Sequence, residues 1–281
     1  MTEWLLSGGK DKQFIWHCSE SGKRLGSYEL PAWCMALAFD CAAKYAFLGD
    51  YGGTIHVLRI SDDSSECSLV TKLSAHTGSI RCLSWDAENQ LLFSGSSDQS
   101  IIIWDIGSRR GTAFELHGHT SKIVSVILAV GHSLLFSASE DGQIACWDLR
   151  VQRQETPEWS SCDSCSRCNE PFFWNLKEMW YRKTVGYRQH HCRKCGAAVC
   201  HGCSSRTVSI PLMGYEFPVR VCDGCYQELS ENPSPSYAKF VDSKHCLVSM
   251  CLDVSQARLV TCGRDNLVKI WDVESILSLY R

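Results

Sequence analysis

Three stretches of this chain repeat one spacing, and that repetition limits the fold more than any other feature of its 281 residues. Leu91-Leu-Phe-Ser-Gly-Ser-Ser-Asp98 leads to Trp104-Asp105, Leu134-Leu-Phe-Ser-Ala-Ser-Glu-Asp141 to Trp147-Asp148, and Leu259-Val-Thr-Cys-Gly-Arg-Asp265 to Trp271-Asp272. In each copy the tryptophan stands six residues after the aspartate. Upstream, His76 precedes Asp98, and His119 precedes Asp141, by the same 22 residues. Two weaker copies come first: Asp11 with Trp16, one residue short, and Asp50, where His56 takes the tryptophan position. Short apolar runs broken by such turns read as β-strands. The Asp, His and Trp of one repeat are expected to tie the turn to the preceding loop by buried hydrogen bonds, a structural role.

A period near 43 residues, G-H or A-H dipeptides and W-D endings are the signature of a WD-repeat blade of four antiparallel strands, so the expected fold is an all-β propeller. Successive turn aspartates are spaced by 39, 48 and 43 residues, and then by 124 between Asp141 and Asp265. One blade accounts for about 43 of those, leaving roughly 81 as an insertion. Trp147-Asp148 ends a third strand and Tyr237-Ala-Lys-Phe-Val241 can supply the fourth, which puts the insertion in the loop between them. Polar segments at 152–158 and 231–236, with Pro157, Pro233 and Pro235, read as its linkers. The division is therefore WD-repeat blades over 1–151, the first incomplete, an inserted finger over 152–232, and the remaining strands and last blade over 233–281.

The insertion holds four C-x2-C pairs, Cys165/Cys168, Cys192/Cys195, Cys200/Cys203 and Cys222/Cys225, with Cys162 offering Cys165 a second register. Four thiolates close a tetrahedral shell around one zinc, so eight build two structural sites. Neither keeps an open position for a reactive water, so the cluster is a scaffold and not a catalyst. The second pair lies in the basic run Arg188-Gln-His-His-Cys-Arg-Lys-Cys-Gly196. Two histidines with Arg188 and Arg193 beside a zinc-fixed turn suit an anion rich in oxygen, and phosphate is the natural candidate.

On these residues the segment from about 155 to 230 resembles a FYVE zinc finger. Trp159 looks like the Trp of its W-x-x-D element, Arg188 to Arg193 like its R-[RK]-HHCR run, and Arg220-Val-Cys222 like its RVC motif. Gln189 departs from the second basic residue of the run, and Asp163 lies one residue late. The family's C-x2-C-x3-F pattern selects Cys165/Cys168 followed by Phe172, leaving Cys162 a spare thiol. The resemblance implies a small α+β finger with two zinc ions in interleaved sites, first pair with third and second with fourth. It further implies binding of phosphatidylinositol 3-phosphate on endosomal membranes. Arg188, His190, His191, Arg193, Arg220, Trp159 and Asp163 would meet the headgroup, and a turret of Val185, Gly186 and Tyr187 would enter the lipid. Two imidazoles in that pocket imply binding that strengthens in mild acid. If the segment after Phe172 is helical, Phe173, Leu176 and Trp180 share a face, and this face is expected to pack on the finger's small core.

The whole chain resembles the WD-repeat and FYVE-domain protein family, which carries the finger late in a seven-bladed propeller. Five repeats are countable and the first starts at its second strand, so about two blades are expected to be missing at the N-terminus, as in a shortened form. An open arc exposes strand edges, and self-association through them is expected. The resemblance implies a non-enzymatic adaptor, cytosolic and peripheral on early endosome membranes, whose propeller holds protein partners. Two other readings stay open. A RING-like ubiquitin ligase also uses eight interleaved ligands, though it generally includes a histidine ligand and lacks the R-x-HHCR run. A finger that binds protein without lipid affinity is kept open by Gln189. No G-x-S-x-G, P-loop or H-E-x-x-H motif occurs. A net charge of −3 argues against a general nucleic-acid binder. No signal sequence opens the chain, and no apolar run approaches the roughly 18–20 residues of a membrane span. Nine of the eighteen cysteines lie scattered outside the finger without a pairing pattern, which favours reduced thiols.

Overall fold

The computed structural model describes residues 4–61, 66–107 and 113–280. They fall into two compact units, one drawn from 1–113, 119–150 and 238–281, the other from 114–118 and 151–237. Along the chain come β1 (Trp4–Gly8), β2 (Gln13–Cys18) and β3 (Arg24–Glu29), then β4 (Cys34–Asp40), β5 (Tyr45–Asp50), β6 (Thr54–Ile60) and β7 (Cys67–Ser74). They are followed by β8 (Ile80–Asp86), β9 (Leu91–Ser96), β10 (Ser100–Asp105), β11 (Ala113–His117), β12 (Ile123–Ala129), β13 (Leu134–Ser139) and β14 (Gln143–Asp148). Besides most of β11, the second unit holds α1 (Leu176–Arg182), β15 (His190–His191), β16 (Ala198–Val199), β17 (Thr207–Ile210), β18 (Tyr215–Arg220) and α2 (Asp223–Glu231). Last come β19 (Ala238–Asp242), β20 (Leu247–Asp253), β21 (Arg258–Gly263), β22 (Val268–Asp272) and α3 (Glu274–Leu277).

The first unit is a set of five antiparallel propeller blades: β1–β3, β4–β7, β8–β10, β12–β14 with β19, and β20–β22. Within the fourth, Trp147 of β14 faces Ala238 of β19, although the two residues are 91 positions apart. Blade stacks on blade through first strands, β4 against β8, β8 against β12, and β12 against β20. Because side chains alternate across a strand, one strand feeds two cores. On β5, Ala46 and Leu48 pack with Phe14 and Trp16, whereas Phe47 packs with Ile80 and Leu92. Gly95 shows how close the sheets come: a Cβ there would lie 2.5 Å from Ile123 Cγ2 of the next blade.

The repeated Asp, His and Trp are joined through a hydroxyl. His76 Nδ1 meets Asp98 Oδ2 at 3.0 Å, its Nε2 meets Ser94 Oγ at 2.8 Å, and Trp104 Nε1 donates to the same Ser94 Oγ at 2.8 Å. The last blade repeats the arrangement with His245, Asp265, Trp271 and Thr261. In the fourth, Ser137 joins His119 to Trp147, but Asp141 accepts from Thr120 and Ser139 instead of closing on the imidazole. In the second, His56 at the tryptophan position reaches Asp50 directly, Nε2 to Oδ2, at 2.9 Å. Ser94→Ala would strand two buried nitrogens at once, so we expect it to lower stability by about 2–4 kcal/mol in denaturant titration. An exposed serine changed to alanine sets the baseline.

Burial pushes the His119 imidazole down to about 4, Asp141 only partly opposing it. Between the ordinary value near 6.5 and that lower one, the unfolded chain takes up the proton first, so acid favours unfolding. The contribution is complete above pH 6.5 and lost as pH falls toward 4, amounting to about 3 kcal/mol. Asp98 acts in the same direction: despite burial, hydrogen bonds from His76 and Ser100 hold its carboxyl well below the usual range. Denaturant midpoints measured from pH 7 to 4.5 should fall steadily, and His119→Gln should flatten the upper part of that profile.

Candidate functional site

Only a small apolar nucleus supports the second unit. Five of its twelve most buried members are cysteines, packed with residues such as Phe172, Val199, Ile210, Tyr215 and Val221. The cysteines gather into two groups of four, Cys165, Cys168, Cys200 and Cys203, and Cys192, Cys195, Cys222 and Cys225, with ligand atoms within 4.8 Å of one another. First pair thus joins third, and second joins fourth. A zinc with S ligands at about 2.3 Å requires S···S edges of about 3.8 Å in a tetrahedron. Cys168 to Cys200 is 3.7 Å and Cys195 to Cys222 is 4.0 Å, so the residues fit the ion. Backbone N–H groups of Cys200 and Arg167 donate to Cys165 Sγ at 3.3 and 3.5 Å. Burial alone would raise that thiol; the surrounding N–H donors lower it to about 7, toward the thiolate that zinc needs. Arg167 also donates through Nη2 to Cys222 Sγ at 3.0 Å, linking one group to the other. Cys162 is exposed and stands outside both.

Against this scaffold lies a cleft of about 210 Å³ lined by Trp159, Gln189, His190, His191, Arg193 and Arg220. Its walls are preorganised. The Trp159 and His191 rings stack at 4.8 Å and 12°, the Arg193 guanidinium lies 4.7 Å from the Trp159 ring, and His191 Nε2 is 3.1 Å from the Ser160 carbonyl oxygen. Arg193 N donates to Arg220 O at 3.0 Å, while Arg220 Nη1 donates to Ser204 O at 2.6 Å. Burial, then Arg220 and Arg188, push the His190 pKa below its ordinary value. Arginines converging on a half-buried imidazole make a site electrostatically suited to an anion.

A FYVE zinc finger model matches residues 156–231, and a WD domain, G-beta repeat model matches 67–105, 111–148 and 238–272. WD repeat and FYVE domain-containing protein 2 of Homo sapiens is 56% identical over 276 residues, 98% of this chain and 68% of that protein. The Mus musculus protein of the same name is 55% identical, with 98% and 68% covered, and WD repeat and FYVE domain-containing protein 1 of Bos taurus is 54% identical, with 98% and 67% covered. The chain belongs to the WD repeat and FYVE domain-containing protein family. Its FYVE finger carries two zinc sites, each built from four cysteines.

Within this family member, not every residue singled out from sequence reaches the cleft. Arg188 is exposed outside its lining. Asp163 is elsewhere too: its Oδ1 accepts from Trp174 Nε1 at 3.0 Å and its carbonyl from Phe172 N at 2.9 Å, which fixes the loop before α1. Gly186 is no exposed tip, because a Cβ there would lie 2.7 Å from the Phe172 backbone; Val185 and Tyr187 on either side are 76% and 47% exposed. Packing of α1 on the finger core fails as well. Phe172 is fully buried, but Leu176 and Trp180 are 70% and 88% exposed and the helix buries none of its residues. Sequence reasoning passed over Ser204 and Arg167, since a serine and an arginine between zinc ligands carry no motif of their own.

Proposed function

We propose that this chain is a non-enzymatic adaptor, recruited to early endosome membranes by phosphatidylinositol 3-phosphate bound to its finger, with its blades holding protein partners. The observation that carries the reading is the cleft, where two arginines, two histidines and a tryptophan converge on a zinc-braced frame. Arg193, Arg220, His190 and His191 would take the phosphate and inositol oxygens. Trp159 would orient Arg193, Arg188 would add long-range attraction, and Asp163 would position the neighbouring loop. Gln189, on the cleft wall, would hydrogen-bond the headgroup where the family run has a second cation. Val185 and Tyr187 would enter the lipid, with Gly186 allowing their segment to approach Phe172. Among the described residues no helix is long and apolar enough to cross a membrane.

The functional division follows the chain: blades over 1–151, finger over 152–232, and remaining strands and last blade over 233–281. Partners of the blades are proteins and not nucleic acid. Self-association through open blade edges has support at β22, where Val268 and Ile270 are exposed, whereas Ile101, Ile103 and Ile144 on the matching strands β10 and β14 are buried. The test is co-sedimentation of the full chain with phosphatidylcholine vesicles doped with phosphatidylinositol 3-phosphate, beside vesicles carrying polyphosphorylated inositides or none, with zinc quantified in the same samples. Selective pelleting with the monophosphate supports the reading. A chain that keeps both zincs and ignores every vesicle refutes it in favour of a protein-binding finger.

A further inference from the structure

Helix α1 is amphipathic in the wrong sense for a folded domain. Leu176 and Trp180, four residues apart, lie on one side, while Glu178 and Arg182 lie on the other. The charged side is the one attached to the finger: Arg182 Nη1 donates to the Asn169 carbonyl at 3.3 Å and its Nε to Glu178 at 2.7 Å. The start is pinned as firmly, Asn175 Oδ1 accepting from Glu178 N and Asn175 Nδ2 donating to Asp163 O. The apolar side is thereby held away from the core, with Leu176 70%, Trp180 88% and Tyr181 84% exposed. Side chains of this size left in water on a braced helix mark a surface that something covers.

We propose that α1 is a second membrane anchor, an aromatic ridge that lies in the headgroup and upper acyl region beside the turret. The inference rests on the finger being a lipid-binding module and adds a separate element to it. Three observations favour a lipid interface over a protein. Tryptophan and tyrosine dominate the ridge, and these are the side chains that settle at membrane–water boundaries. From Phe173 to Arg188 the chain has four basic residues and one acid, and that acid, Glu178, is already paired with Arg182, so Lys177 and Lys183 meet an anionic surface without opposition. The segment leading into the ridge is also bonded to the turret: Phe173 N donates to Tyr187 O at 3.1 Å and Tyr187 N to Pro171 O at 2.9 Å. One headgroup gives weak, reversible attachment, and a second apolar contact converts it into a stable one.

The experiment compares the zinc-loaded full chain with a Leu176→Ala, Trp180→Ala double variant and with Trp180→Phe. Vesicles of phosphatidylcholine and phosphatidylserine doped with phosphatidylinositol 3-phosphate report membrane binding, and a soluble short-chain form of the same lipid reports the pocket. Losing two interfacial apolar side chains should weaken vesicle binding at least about tenfold. Affinity for the soluble lipid and zinc content should not change, and Trp180→Phe should bind vesicles nearly as well as the parent. Equal vesicle binding by double variant and parent overturns the anchor while leaving the pocket reading intact. So does parallel loss of soluble-lipid affinity, which would make α1 part of the pocket. Lipid-free self-association that the double variant abolishes would assign the ridge to a second copy instead. A parent chain that binds neither lipid form defeats the pocket reading and the anchor with it.

Discussion

Removing zinc from the full chain is expected to unfold residues of the second unit while the blades keep their structure. The unit has few apolar residues to fall back on, since five of the twelve buried members of its apolar nucleus are cysteines whose sulfurs belong to the metal groups. Structural zinc sites contribute on the order of 10–16 kcal/mol of binding free energy, far more than a nucleus this small supplies by burial. Interleaving makes the loss cooperative. Each ion joins pairs that lie apart in sequence, and Arg167 bridges the groups at Cys222, so failure of one shell withdraws support from the other. Cys222→Ser should reproduce the effect of a chelator, and Cys162→Ser, outside both groups, should be silent. Hydrogen exchange read by mass spectrometry would localise the change: protection lost across 160–231 and retained in β5, β9 and β13. Uniform loss over the chain would mean that the blades depend on the finger.

Arg193→Ala and Arg220→Ala should each reduce binding to phosphatidylinositol 3-phosphate vesicles by roughly 10- to 100-fold, at unchanged zinc content. A guanidinium bonded to a phosphate is worth more than a neutral hydrogen bond, and both arginines line the cleft. The two variants should differ in what else they disturb. Arg193 lies over Trp159, so its loss also frees that ring, which Trp159→Ala can imitate. Arg220 is tied to the Ser204 carbonyl, so Arg220→Lys should recover charge but only part of the affinity, because an ammonium cannot hold that carbonyl and the ligand in the same planar arrangement. Arg188→Ala, outside the cleft, should cost much less and mostly at low salt.

Much of the blade architecture could be read from spacing because a hydrogen-bonded chain demands fixed offsets. The linking hydroxyl was equally periodic: Ser94, Ser137 and Thr261 each stand four residues before their turn aspartate. It escaped notice because Ser and Thr are common in strands. The second blade shows the rule by exception, with Ala46 at that offset and His56 replacing the tryptophan that would have needed the hydroxyl. In the finger, C-x2-C spacing pointed to the thiolates and residue chemistry to His190, His191 and Arg193, whereas Trp159, Arg220 and the choice of Cys165 with Cys168 came from the family resemblance. The orientation of α1 was not legible. Periodicity says that Leu176 and Trp180 share a face, but which way the face turns is decided by Arg182 reaching Asn169 and by Asn175 reaching Asp163. Asp163 accepts from the Trp174 indole and does not line the cleft, a loop geometry that motif spacing does not encode.

The pairing of β14 with β19 has a consequence for how this protein is made. At about 5–20 residues per second, a ribosome that has finished β14 needs roughly 5 to 20 s before it delivers β19. Throughout that interval the nascent fourth blade exposes an unpaired edge beside Ile144 and Trp147, side chains that are buried in the finished protein. Metal loading of the finger, complete only once Cys225 has emerged, would compact the intervening polypeptide and help β19 reach that edge as soon as it is made, so cells starved of zinc during translation should accumulate more aggregated chains than cells depleted of zinc after synthesis.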